Sequence, residues 1–261
     1  MCIMTGNTTF VGGTRIFCRF GRGNRQYLAY AMSVAATEPT AMVLPLPVEP
    51  GSSEKALKFI DLSGYPAFFD HMHLGFPPPP VMRSAPAPAS LAIGGSAPQP
   101  LVVHDVGAFE ASFVPTLDDF SRLDPRFVLP SEVWDQLPDY ADYGFAVFKL
   151  KLEGGATKKI HPMAFQFPSR HSDRLFFPTV HVHDRRVHEF GNFDHVLYCQ
   201  GRSSFFGSPK PIDDPLLIRS MDIAKSFMSM DQAKGLLDAK QHCYKQTLLG
   251  VLPNKDQWVS I

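Results

Sequence analysis

Neither sign of charge is in excess in this chain: 25 Lys and Arg balance 25 Asp and Glu over 261 residues. Without a basic surplus, no overall field draws the molecule to nucleic acid or to an anionic membrane. Short basic pairs such as Lys158-Lys159 and Arg185-Arg186 read as solvated turns. Cysteine is also scarce. The four thiols, Cys2, Cys18, Cys199 and Cys243, stand far apart with no CxxC pair, which excludes a zinc knuckle and argues against a disulfide framework. No apolar run approaches the roughly 20 residues that span a bilayer. The start, MCIMTGNTTF, lacks a basic stretch followed by an apolar one. The expectation is a soluble cytoplasmic protein that binds neither nucleic acid nor membrane. A phosphate-binding glycine loop, a dinucleotide fingerprint, a serine elbow and a calcium loop are absent too, which removes the commonest motif-borne activities.

What is present is a globular composition, 44% hydrophobic with 22 Phe, ample for a large core. Segments 14–20, 26–35 and 41–48 read as successive strands, the first two joined across Gly21–Asn24. Pro45 and Pro47 donate no backbone N–H, so the far end of the third strand belongs at a sheet edge or leaves the sheet. Ser52 or Ser53 is expected to cap a short helix running to about Leu62. Residues 77–100 then hold eight prolines and a single charge, Arg83, the composition of a long polyproline-like surface loop.

Further strands are expected at 101–106 and 109–114, short helices within 116–142, and strands at 174–183 and 193–199. Segments 144–152 and 161–167 read as a hairpin across Gly154-Gly155, with Ala146, Phe148, Leu150 and Leu152 toward the core. In the tail, 213–250, Ile223, Phe227, Met230, Leu236 and Leu237 recur at near-helical spacing, which predicts a C-terminal helical layer. Nothing repeats in strict βαβ order. The expected fold class is therefore α+β: one domain over 1–261, a mainly antiparallel β-sheet with short helices, the Pro-rich surface loop and the C-terminal helical layer.

The densest chemistry lies in TVHVHDRRVHEF, residues 179–190. Period-2 alternation sends Val180 and Val182 to one face and His181 and His183 to the other. A two-residue turn at Asp184-Arg185 would pair His181 with His188, so that His181, His183 and His188 share a face while Val180, Val182 and Val187 cover the core. Three imidazoles so arranged suit a transition metal such as zinc, with Asp184, Asp194, His195 and Cys199 near enough in sequence to complete or orient the shell. The plainer alternative is a polar sheet face that uses histidine.

Cys2 is the second candidate. Cysteine is small enough to allow removal of Met1, which would expose a free N-terminal thiol beside its own amine. That amine titrates near 7.7–8.0, roughly where a base works best in a cell. N-terminal nucleophile hydrolases attack an amide or ester carbonyl in this way. The alternative is an incidental second residue.

Several stretches taken together, the Met1-Cys2 start, AMVLPLPV at 41–48, LDPRFVLP at 123–130, HPMAFQFP at 161–168 and LFFPTVHVHD at 175–184, resemble an uncharacterised family of bacterial proteins over most of residues 1–201. More distantly, the first 50 residues are similar to a family of exported bacterial proteins with a cysteine just after the signal peptide. The resemblance implies a globular bacterial-type domain with an exposed N-terminal cysteine and carries no activity. Three functions stay open: a Cys2-dependent hydrolase of a small-molecule amide or ester, a metal-binding protein using His181, His183 and His188, and a non-catalytic interaction domain that meets a protein partner through residues 77–100.

Overall fold

The computed structural model describes residues 3–77, 104–106, 109–152, 156–201 and 212–261. Its first half builds β1 (Ile3–Met4), β2 (Thr8–Phe20), β3 (Arg25–Ala36), β4 (Thr40–Leu46), β5 (Lys58–Asp61), helix α1 (Phe68–Leu74), β6 (His104–Val106) and β7 (Phe109–Val114). After a run of short 3-10 turns and helix α2 (Ser131–Asp135) come β8 (Gly144–Leu150), β9 (Lys158–Lys159), β10 (Met163–Pro168), β11 (Arg174–Phe177), β12 (Phe190–Cys199), β13 (Ile218–Ile223), β14 (His242–Pro253) and β15 (Gln257–Ser260).

These strands make two main sheets. The smaller runs β1-β4-β8-β7-β6 and is antiparallel throughout. The larger runs β13-β14-β12-β2-β3-β10-β5, with β9 beside β3; its β12–β2 pair is parallel. The pair β11–β15 stands apart from both. The mixed, mainly antiparallel β architecture with few short helices agrees with the coarse expectation. The β2–β3 ribbon turns at Arg22–Asn24, where Gly23 takes φ +62°, a left-handed conformation that glycine adopts without steric cost.

The inner faces of the two sheets form one core, including Met42, Leu44, Phe109 and Phe148 from the small sheet and Ile16, Leu28, Phe165 and Leu197 from the large one. Phe148 meets Phe165 across it at 5.9 Å between ring centroids. The outer faces are covered too. On the large sheet, α1 and residues 224–237 lay Phe68, Met72 and Leu236 over Phe17, Ala29 and Tyr198. On the small one, the 117–143 turns lay Phe120, Phe127 and Val133 over Ala41, Phe145 and Val147. Burying both faces of a sheet removes clean alternation. Phe145 and Val147, assigned outward by parity, are therefore as buried as Phe148.

Three expectations fail on long-range pairing. The tail is not a helical layer: β13, β14 and β15 occupy it, with β14 held by ten residue pairs to β12. The near-helical spacing of Phe227, Met230 and Leu236 comes from tight turns, with Lys234 and Gly235 both at positive φ, that return to one apolar patch. Segment 52–62 forms a turn and then β5, not a helix. Segments 144–152 and 161–167 do not pair as a hairpin; β8 and β10 lie in different sheets and face each other across the core.

Pro45 sits where the edge argument puts it, since β1 covers only Met42 and Val43 and leaves β4 open beyond them. The proline-rich stretch, apart from Pro77, lies outside the described residues. Among the described residues no helix is long and apolar enough to cross a membrane.

Truncating Phe148, fully buried between the sheets, should cost about 3–5 kcal/mol, while Leu249→Ala, at a side chain 74% exposed, should stay within about 0.5 kcal/mol of wild type. Urea unfolding of both variants checks this. A Phe148→Ala loss as small as that of Leu249→Ala would mean the sheets do not share a core.

Candidate functional site

The histidine segment is held by main-chain chemistry that is not a hairpin. Between β11 and β12 only Val182 forms a β-bridge, and it does so in parallel with Ile3 of β1. The Met4 N–H donates to the Val182 carbonyl at 2.8 Å. Asp184 and Arg185 do turn the chain, with Arg185 at φ +61° and the Asp184 carboxylate accepting from the Arg186 N–H. The returning limb nevertheless never pairs with the outgoing one.

Its backbone is satisfied instead by the turn between β14 and β15. Asn254 accepts from the His181 N–H at 2.7 Å and donates to the carbonyls of His181 and His188, each at 2.9 Å. One Asp256 oxygen accepts from the N–H groups of Thr179 and Val180, and the other takes the Tyr140 hydroxyl at 2.6 Å.

Clamped this way, the segment keeps the alternation read from sequence but uses it differently. Val180 and Val182 join the apolar cluster under the small sheet, with Val187 packed against it. His181 and His183 turn the other way, against β12. The rings of His183, His181 and His195 form a column, with centroids 5.7 Å and 5.2 Å apart and planes within 13° of parallel. Phe193 packs against His181 at 4.2 Å and His195 at 5.0 Å. Gly191 makes the column fit: a Cβ there would stand 2.7 Å from the His181 Nδ1. His188 is not part of it. It is exposed and its Nε2 lies 2.9 Å from Asp184.

Of the three histidines expected to share a face, two stand together, and the third neighbour is His195. Among the described residues no group of three or more His, Cys, Asp or Glu could hold a metal ion.

Burial sets the electrostatics. It pushes the His181 imidazole down to about 2 and that of His183 down to about 4, so both are neutral at pH 7. The Nε2 of each is buried without a hydrogen-bond partner among the described residues. Cys18, Cys199 and Cys243 are buried thiols, and burial raises all three above the ordinary cysteine value. Their thiolates are suppressed, so they are poor nucleophiles. Cys2 lies outside the described residues; its covalent neighbour Ile3 is the residue that bridges Val182, between the two neutral imidazoles.

Asn254, Asp256, Phe193 and Gly191 were not singled out from sequence. The only signal was the turn-like Asn254-Lys255-Asp256 after Pro253. Nothing local says that this turn closes on residues more than seventy positions earlier.

Asp256 gives this arrangement a pH dependence. Burial pushes its carboxyl up to about 6, against the opposing hydrogen bonds from Tyr140, Thr179 and Val180. In the unfolded chain the group titrates near 3.9. The folded state therefore holds the proton more tightly, and the stability this group supplies is full below about pH 4 and lost as pH rises through about 6, about 3 kcal/mol in all.

Asp256→Asn cannot ionise, keeps the acceptor for Thr179 and Val180, and offers an N–H to the Tyr140 oxygen. Relative to wild type it should gain stability between pH 4.5 and pH 7. Urea unfolding at both pH values measures the difference, in which the shared contributions of His181 and His183 cancel. An unchanged difference would show that Asp256 ionises normally.

No family model and no curated protein matches the chain. Among solved structures, the crystal structure of baculovirus P35 is similar over 99% of both chains, with a TM-score of 0.49 and 12% sequence identity. A likeness that distant says nothing about activity.

Proposed function

We propose that this chain is a cysteine-dependent hydrolase of a small amide or ester, with Cys2 as the nucleophile after removal of Met1. One observation carries the reading: Ile3, one peptide bond from Cys2, is bridged to Val182, whose neighbours His181 and His183 are neutral and keep buried Nε2 atoms without partners among the described residues. The other three thiols are suppressed by burial, which leaves thiol chemistry to Cys2.

In the reaction the Cys2 sulfur forms a bond to the substrate carbonyl carbon, while its proton passes to the terminal amine. The amine then hands that proton to the departing amine or alcohol as the carbon–heteroatom bond breaks. Water attacks the resulting thioester and releases the acid and the free thiol. His181 and His183, with such low proton affinity, do not serve as the base. A neutral imidazole instead offers one N–H, suited to an oxygen that gains negative charge during attack.

The reading predicts that untagged protein lacks Met1, and that a short, limiting iodoacetamide pulse labels Cys2 well ahead of Cys18, Cys199 and Cys243. It also predicts that Cys2→Ala abolishes turnover in a screen of p-nitrophenyl esters and small anilides without lowering Tm. Retained Met1, or a Cys2→Ala protein as active as wild type, would end it. The metal reading survives only on His181 and His183 as neighbouring donors, and metal content of untagged protein decides it.

A further inference from the structure

Away from the histidine column, the outer face of the large sheet brings Arg15, Lys159 and Lys245 together near the end of α1, with Asp70 among them. Register sets Tyr198 directly across from Lys245, and Val196 across from Arg15. Since residues two apart on a strand share a face, Arg15, Tyr198 and Lys245 leave the sheet on the same side. The end of α1 closes over them. The Arg15 guanidinium lies 5.4 Å from the centre of the Phe69 ring, and the Lys245 ammonium lies 4.9 Å from that of Phe76. The Tyr198 ring packs against both, at 6.0 and 5.6 Å. Its hydroxyl lies 3.4 Å from the His73 Nδ1.

Asp70 is the carboxylate at hand, and both Arg15 and Lys159 use it. Lys245 has no such partner. It is 9% exposed, pairs across the sheet with Ile218, and meets no carboxylate or hydrogen-bond acceptor among the described residues. The acidic residues whose side chains are not described are Asp105 and Glu153, and the proline-rich stretch holds none. The Lys245 stem is covered while its ammonium stays within reach of solvent, so an anion can meet it without displacing another charge. Burial, with the nearby Lys245 and Arg15 charges, holds His73 below its ordinary value, so that at neutral pH it is a neutral group beside two cations.

We propose that Lys245, Tyr198 and His73 form a binding site for a phosphate group, with Arg15 adding charge and Phe69 and Phe76 shielding the Lys245 contact from water. A dianion matches the excess of Arg15, Lys159 and Lys245 over Asp70. A tetrahedral oxyanion also accepts from an ammonium, a hydroxyl and an imidazole N–H in different directions, which a planar carboxylate does less well. The phosphate is either free or carried on a phosphomonoester. This site is independent of the Cys2 chemistry.

The test is calorimetric titration of the full chain with inorganic phosphate, phenyl phosphate and acetate at fixed ionic strength. The proposal expects saturable binding of phosphate tighter than about 1 mM, weakened at least tenfold in Lys245→Met and several-fold in Tyr198→Phe, with acetate much weaker. Lys245→Met should also melt no lower than wild type in phosphate-free buffer, because the ammonium makes no ion pair or hydrogen bond among the described residues and Met keeps the apolar stem. Tighter binding of phenyl phosphate than of phosphate assigns the site to phosphomonoesters; equal binding assigns it to free phosphate. No saturable binding by wild type, acetate binding equal to phosphate, or Lys245→Met binding like wild type would each overturn the proposal. If Lys245→Met does not fold, Tyr198→Phe, which removes only a hydroxyl, decides: binding unchanged from wild type overturns it.

Discussion

Four consecutive residues, Thr179 to Val182, have no ordinary strand partner, yet the N–H groups of Thr179, Val180 and His181 and the carbonyls of His181 and Val182 are all hydrogen-bonded. Two side chains of a distant turn, Asn254 and Asp256, and the main chain of β1 supply those bonds. Buried peptide groups left without partners are costly, so this clamp decides where the segment lies. It also ties together pieces that no sheet unites. The β14–β15 turn links the large sheet to the β11–β15 pair, β1 belongs to the small sheet, and residues 179–182 lie between them.

From that placement the chemistry follows. Valines at 180 and 182 fill the cluster under the small sheet, which forces the intervening imidazole the other way, onto Phe193 and His195. Gly191 leaves room for it. Desolvated there, His181 and His183 hold no charge at neutral pH, and they can give or accept hydrogen bonds but not store protons. The same burial that disarms the imidazoles as bases disarms Cys18, Cys199 and Cys243 as nucleophiles. Under the proposed function reactivity falls to Cys2, where removal of Met1 would bring a thiol and an amine together on one residue.

Local chemistry was legible in the sequence wherever its cause was local. The turn at Gly21–Asn24, the edge position of Pro45, the strand at Phe109–Val114 and the opposed faces of Val180 and His181 all follow from periodicity and backbone restriction. What failed depends on partners far along the chain. Nothing near Phe148 says that Phe165 faces it from another sheet. Nothing near Leu236 says that its helical spacing arises from turns returning to α1. At the site, alternation put His181 and His183 together. It misplaced His188, because the loop back from Asp184 spends its backbone bonds on Asn254 and not on its own outgoing limb. Lys245 fell within the stretch expected to be helical, and only the pairing of β14 with β12 brings it beside Tyr198.

The central claim, that Cys2 acts beside the neutral imidazoles of His181 and His183, is tested most directly by imidazole NMR of histidine-labelled protein before and after alkylation of Cys2 with a small reagent. The account predicts that the ring resonances of His181 and His183 move, while those of His188, exposed and held by Asp184, and of His242 on the far part of β14 stay fixed. Unchanged His181 and His183 signals on a fully alkylated Cys2 would contradict it.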